Sequence, residues 1–67
     1  MYYIHSFILT FTSKNGVLEP HTAEVDIKTN TDKPSKEQIT EIIKLESEKL
    51  SDYNFSDIEY ITTHSSN

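Results

Sequence analysis

The run Tyr2-Tyr3-Ile4-His5-Ser6-Phe7-Ile8-Leu9-Thr10-Phe11 is apolar at odd and even positions alike. Its aromatic and β-branched content suits a strand, and along a strand successive side chains point to opposite faces. Tyr3, Phe7, Leu9 and Phe11 therefore share one face, and Tyr2, Ile4 and Ile8 share the other. A chain of 67 residues has room for one domain, which buries roughly 60% of its unfolded surface, so one helix on one small sheet is about the limit. A single helix covers only one face. The sequence thus predicts a central strand with a helix on one side and a partly apolar face left open on the other.

The polar Ser13-Lys14-Asn15-Gly16 reads as a turn and Val17 to Thr29 as a second strand. A two-residue Asn15-Gly16 loop would set Phe7, Leu9 and Phe11 beside Glu24, Thr22 and Pro20. A three-residue loop, Lys14 to Gly16 with Gly16 left-handed, shifts the pairing by one and flips every side chain of the second strand. Phe7 then opposes Ala23, His5 opposes Val25 and Tyr3 opposes Ile27. This register is expected because it gathers the apolar residues on one face, and Pro20, which cannot donate to a ladder, places the second strand at an edge.

Asn30 to Pro34 form a connection. Ser35 and Gln38 fit a capping box, with Pro34 and Ile39 spaced as a hydrophobic staple, so a helix should begin near Lys36. Ile39, Ile42, Ile43 and Leu50 make its apolar stripe, with Leu45 on the margin. Asn54 is expected to end the helix in a left-handed cap and return Phe55 against Leu50. Asp57 to Thr63 should form a third strand, with either Tyr60 or Ile61 on the open face, and His64 to Asn67 a frayed end. The expected fold is a single α+β domain of order ββαβ. Its helix packs on a three-stranded antiparallel sheet with spatial order 2-1-3.

Composition narrows the function. The chain has no cysteine, which removes disulfides and Cys-based zinc sites and points to the cytoplasm. The apolar N-terminus lacks the basic flank and cleavage site of a signal peptide, and no stretch approaches the roughly 20 apolar residues of a membrane span. Residues 1–36 carry four acids and four lysines, whereas residues 37–67 carry seven acids and two lysines, and arginine is absent. That distribution disfavours nucleic acid and anionic lipid as partners, which leaves a protein partner or a second copy of the chain. The lone Gly16 excludes a glycine-rich phosphate loop, and no Ser-His-acid spacing stands out. His5, His21 and His64 lack metal-ligand spacing. Neither an enzyme, a cofactor nor a metal is expected.

The open sheet face is the first candidate site: Tyr2, Ile4, Ile8, Leu18 and Tyr60, placed to bind a protein or a second copy. The second is an acidic array of Glu37, Glu41, Glu48, Asp52, Asp57 and Glu59 on the helix and third strand, able to mimic phosphates in the basic groove of a nucleic-acid-binding protein. Glu46 falls among Ile39, Ile42, Ile43 and Leu50. Buried, it would need a partner such as His5 or His21; it is expected instead to snorkel past the sheet edge.

The Tyr- and Ile-rich first strand, the Lys14-Asn15-Gly16 turn, the capped helix opening Pro34-Ser35-Lys36-Glu37-Gln38-Ile39 and the short closing strand together resemble small phage- or prophage-encoded proteins of unassigned function. The Lys, Asn, Ile and Tyr content without arginine fits the AT-rich coding of such elements. Some small acidic proteins of this kind inhibit host nucleases or defence complexes. The resemblance therefore raises an inhibitory role, without assigning it to any residue.

Overall fold

The computed structural model describes residues 1–66. Strand β1 (Tyr2–Ser13) lies between β2 (His21–Thr29) and β3 (Tyr53–Ser66), antiparallel to both, and helix α1 (Lys36–Lys49) packs on one face. This is the ββαβ fold of order 2-1-3 that the sequence predicts. β1 pairs with β3 along its whole length. At about 3.3 Å per residue, the 14 residues of β3 account for the 45 Å long dimension of the molecule.

Alternation along β1 turns His5, Phe7, Leu9 and Phe11 toward the helix, where they are buried with Val25, Ile27 and Thr29 of β2. Ile39, Ile42, Ile43 and Leu50 pack half-buried against this layer, with Tyr53 and Ile58 of β3. Burial of an aliphatic or aromatic side chain contributes about 1.5–3 kcal/mol, so β1 supplies much of the core. The 14 residues of α1 span only about 21 Å, less than half the ribbon.

The β1–β2 register lies two residues from the expected one. Phe7 stands opposite Val25 and His5 opposite Ile27, in place of Ala23 and Val25. A shift of two preserves the face of every side chain, so Phe7, Leu9, Phe11, Val25 and Ile27 are buried as expected, while Tyr3 and Ala23 are only half-buried. The connection is longer than three residues because the end of β1 stays with β3. Ser13 pairs with Tyr53, and the Lys14 N–H donates to the Asp52 carbonyl at 2.9 Å. β2 begins only after Pro20. Gly16 does adopt the left-handed conformation, at φ 72°, where it lacks the Cβ that disfavours this region. Beside it, Asn15 Oδ1 accepts from the Ser13 hydroxyl at 2.7 Å and the Val17 N–H at 3.0 Å.

At the helix start both arms of the capping box form: Gln38 N–H donates to Ser35 Oγ at 3.1 Å and Ser35 N–H to Gln38 Oε1 at 2.8 Å. The helix ends earlier than expected, with Leu50 as its cap. Leu50 N–H donates to the Ser47 carbonyl and Tyr53 N–H to the Leu50 carbonyl, turning the chain directly into β3. Asn54 and Phe55 thus belong to a strand, and the Phe55 ring meets Phe11 edge-on at 5.9 Å. His64 and Ser65, expected to fray, pair with Ile4 and Tyr3. Asn67, the last residue of that expected tail, lies outside the described residues.

Candidate functional site

On the face away from the helix, Tyr2, Ile4, Ser6, Ile8 and Thr10 of β1 form a central, half-exposed column. Their cross-strand neighbours are polar. Ile8 lies between Glu24 and Glu59, Thr10 between Thr22 and Asp57, Ser6 between Asp26 and Thr62, and Ile4 between Lys28 and His64. The Ser6 hydroxyl donates to Asp26 Oδ1 at 2.7 Å, and the Lys28 ammonium sits 4.2 Å from the centre of the Tyr2 ring. The surface is therefore graded. Four carboxylates surround the Ser6–Thr10 part of the column, while the Lys28 ammonium sits on Tyr2 at the opposite end.

Three of the five residues expected on this face are there: Tyr2, Ile4 and Ile8. Leu18 is not, because it lies in the Lys14–Pro20 connection, 49% exposed. Tyr60 is not either. It pairs with Phe7 on the helix side and meets that ring edge-on at 5.7 Å. The β1–β3 register shifts between Ser6 and Phe7, leaving Ile61 as an extra exposed residue, and a bulge of this kind breaks the strict alternation from which a face is read.

The six acids of the second candidate do not form one array. Glu37, Glu41 and Glu48 are exposed on α1, and Asp52 lies in the turn after it. Asp57 and Glu59 stand beside Thr10 and Ile8, on the side of the sheet that the helix leaves bare. Glu24 and Asp26, absent from that array, join them there. A signal for these two was available in the alternation of Thr22, Glu24, Asp26 and Lys28 with Ala23, Val25 and Ile27.

Glu46 is 21% exposed and pairs with Lys49 Nζ at 3.4 Å, within its own helix. His5 is fully buried and serves the core. Its Nε2 lies 2.8 Å from Thr29 Oγ1, whose own proton goes to the Thr31 carbonyl at 2.7 Å. Thr29 must then accept from His5, which in the neutral ring fixes the proton on Nε2. Nδ1 accepts from Thr63 Oγ1 at 3.0 Å, and Thr63 accepts from the Tyr60 hydroxyl at 2.8 Å. One directed chain of hydrogen bonds thus ties β3 to β1 to β2. His21 tilts against Tyr53 at 5.9 Å.

This hydrogen-bond chain ends at a cleft of about 450 Å³ between β3 and the start of α1, lined by His5, Phe7, Ile39, Tyr60 and Thr63 and, from the connection before the helix, Asp32, Lys33 and Pro34. Both ring nitrogens of His5 are committed inside the fold, so the polar groups at the cleft are the Tyr60 and Thr63 hydroxyls and, at its rim, Asp32 and Lys33. Among the described residues, no group of three or more His, Asp or Glu side chains is arranged to hold a metal ion, and no helix is long and apolar enough to cross a membrane. No family model, curated protein or solved structure matches this chain.

Proposed function

We propose that the protein is a non-enzymatic protein-binding module and that the open sheet face is its interface. The observation that carries this reading is the half-exposed column of Tyr2, Ile4 and Ile8 at the centre of the sheet, on the side away from the helix. Antiparallel sheets with one solvated face ordinarily place polar residues there. Complete burial of an isoleucine is worth about 1.5–3 kcal/mol. A partner that completes the burial of Ile4 and Ile8 gains the part of that energy still unrealised.

The inhibitor reading, in which acids mimic phosphates, is favoured in a changed form by the positions of Asp57 and Glu59. They flank the same apolar column, so a basic partner would meet the sheet and not the helix. Affinity capture from the source cells separates the two surfaces, using wild type, Ile8→Lys and a Glu37→Lys/Glu41→Lys variant as baits. Loss of a partner with Ile8→Lys alone supports the sheet face. Loss with the helix variant alone assigns binding to α1 and rejects the proposal.

A further inference from the structure

Resting on the reading of the open face as an interface, we infer that its occupant is a basic amphipathic helix of a partner protein. The charge pattern disfavours a second copy. Each face carries Glu24, Asp26, Asp57 and Glu59 against Lys28. The most favourable face-to-face pair is antiparallel, which sets Glu24 against Lys28 of the other copy. It still opposes Asp26 to its own equivalent and offers Glu59 only a histidine. A partner rich in lysine or arginine instead meets carboxylates on both sides of the column between Ser6 and Thr10.

Backbone chemistry and width select a helix. A lone extended segment laid on the face of a sheet would bury N–H and carbonyl groups without partners, whereas a helix satisfies its own. Neighbouring strands lie about 4.8 Å apart, so Glu24 on β2 and Glu59 on β3 are separated by about 10 Å across β1. That separation matches a helix of about 10–12 Å diameter, whose apolar stripe would rest on Ile4 and Ile8 while flanking cations reach the acids of both outer strands. From Tyr2 to Thr10 the column runs about 27 Å, the length of a helix of about 18 residues.

The probe is a fluorescent helical peptide of about 18 residues, matching that column, with a leucine stripe flanked on both sides by lysine. A counterpart carries glutamate in place of lysine, and binding to the intact chain is read by anisotropy. The lysine peptide is expected to bind, to weaken with added salt, and to lose most of its affinity to Ile8→Ser. The Glu24→Gln/Glu59→Gln variant should bind it roughly threefold to tenfold more weakly, as expected for two exposed charge pairs. No binding by the glutamate peptide is expected. Equal binding of both peptides, no binding of the lysine peptide, or indifference to Glu24→Gln/Glu59→Gln overturns the basic-helix inference. Where no peptide binds, affinity capture with wild type beside Ile8→Lys decides the interface reading; where one binds, loss of that binding with Ile8→Ser leaves it standing. A wild-type dimer in light scattering that Ile8→Ser dissociates would name a second copy as the occupant and have the same consequence. Lysine-peptide binding that survives Ile8→Ser and disappears with Glu37→Lys/Glu41→Lys overturns both. Far-UV circular dichroism of each variant establishes that it is folded.

Discussion

Glu24 and Glu59 occupy the same cross-strand row, one on each side of Ile8. Each carboxylate has an isoleucine as its nearest neighbour across the strand, so the row contributes no ion pair to the fold. The two acids lie about 10 Å apart across two strand spacings, a distance at which exposed charges are largely screened at physiological salt. Their arrangement costs the free protein little and shapes what can approach the column between them.

Replacing both acids by glutamine should therefore leave the fold intact. Urea denaturation of Glu24→Gln/Glu59→Gln is expected to match wild type within about 0.5 kcal/mol, the usual range for exposed substitutions. A larger loss would mean that the acids hold the sheet together.

Ile8 and Leu9 are adjacent in sequence and opposite in role. Leu9 is fully buried, whereas Ile8 is half-exposed on the far side of the sheet. Leu9→Ala should destabilise by about 2–5 kcal/mol through lost burial and the cavity it leaves, a large share of what so small a domain possesses. Ile8→Ser should cost about 1 kcal/mol, the span of strand preference. Equilibrium unfolding of the two variants measures the difference, and equal losses would contradict the assignment of faces.

The chain from Tyr60 through Thr63 to His5 makes a prediction about protons. Nitrogen NMR should show the neutral His5 ring as the Nε2–H tautomer, because the Thr29 hydroxyl already donates to the Thr31 carbonyl. Thr63→Val removes the donor to Nδ1 and leaves a buried acceptor unsatisfied, at a cost of about 1–3 kcal/mol. Tyr60→Phe removes only the outermost donor, on a residue 57% exposed, and should be much milder.

Ser35 closes one arm of the capping box and frames the other. Ser35→Ala is expected to cost about 0.5–2 kcal/mol and to lower the helical signal at the first turn of α1, read by circular dichroism and amide exchange. An unchanged helix would mean that packing of Ile39, Ile42 and Ile43 alone fixes its start.

Much of this structure is legible in the sequence because the patterns of β1 and α1 are regular. Phe7, Leu9 and Phe11 recur at every second position of β1, and Ser35 with Gln38 marks a helix start that the backbone follows. β3 was only half legible. Its helix-side residues Tyr53, Phe55, Ile58, Tyr60 and Thr63 are spaced two, three, two and three apart, since register shifts fall near Ser56 and Ile61. No single period fits that spacing, so the strand read short and Tyr60 fell on the wrong face. The ends of β3 are set by pairing with β1, a long-range contact that polar residues such as His64 and Ser65 do not advertise. The acids around Ile8 were hidden for a related reason. Glu24 and Glu59 come together only once the register across three strands is known.

Isoleucine methyl spectra offer the sharpest view of the interface, because isoleucines report on both sides of the sheet. Ile4 and Ile8 mark the open face, while Ile27, Ile39, Ile42 and Ile43 mark the helix side. On titration of the methyl-labelled protein with the lysine-flanked helical peptide, the Ile4 and Ile8 signals should move together and saturate, with the helix-side methyls nearly still. Movement confined to Ile39, Ile42 and Ile43, with Ile4 and Ile8 unmoved, would contradict the open sheet face as the binding surface.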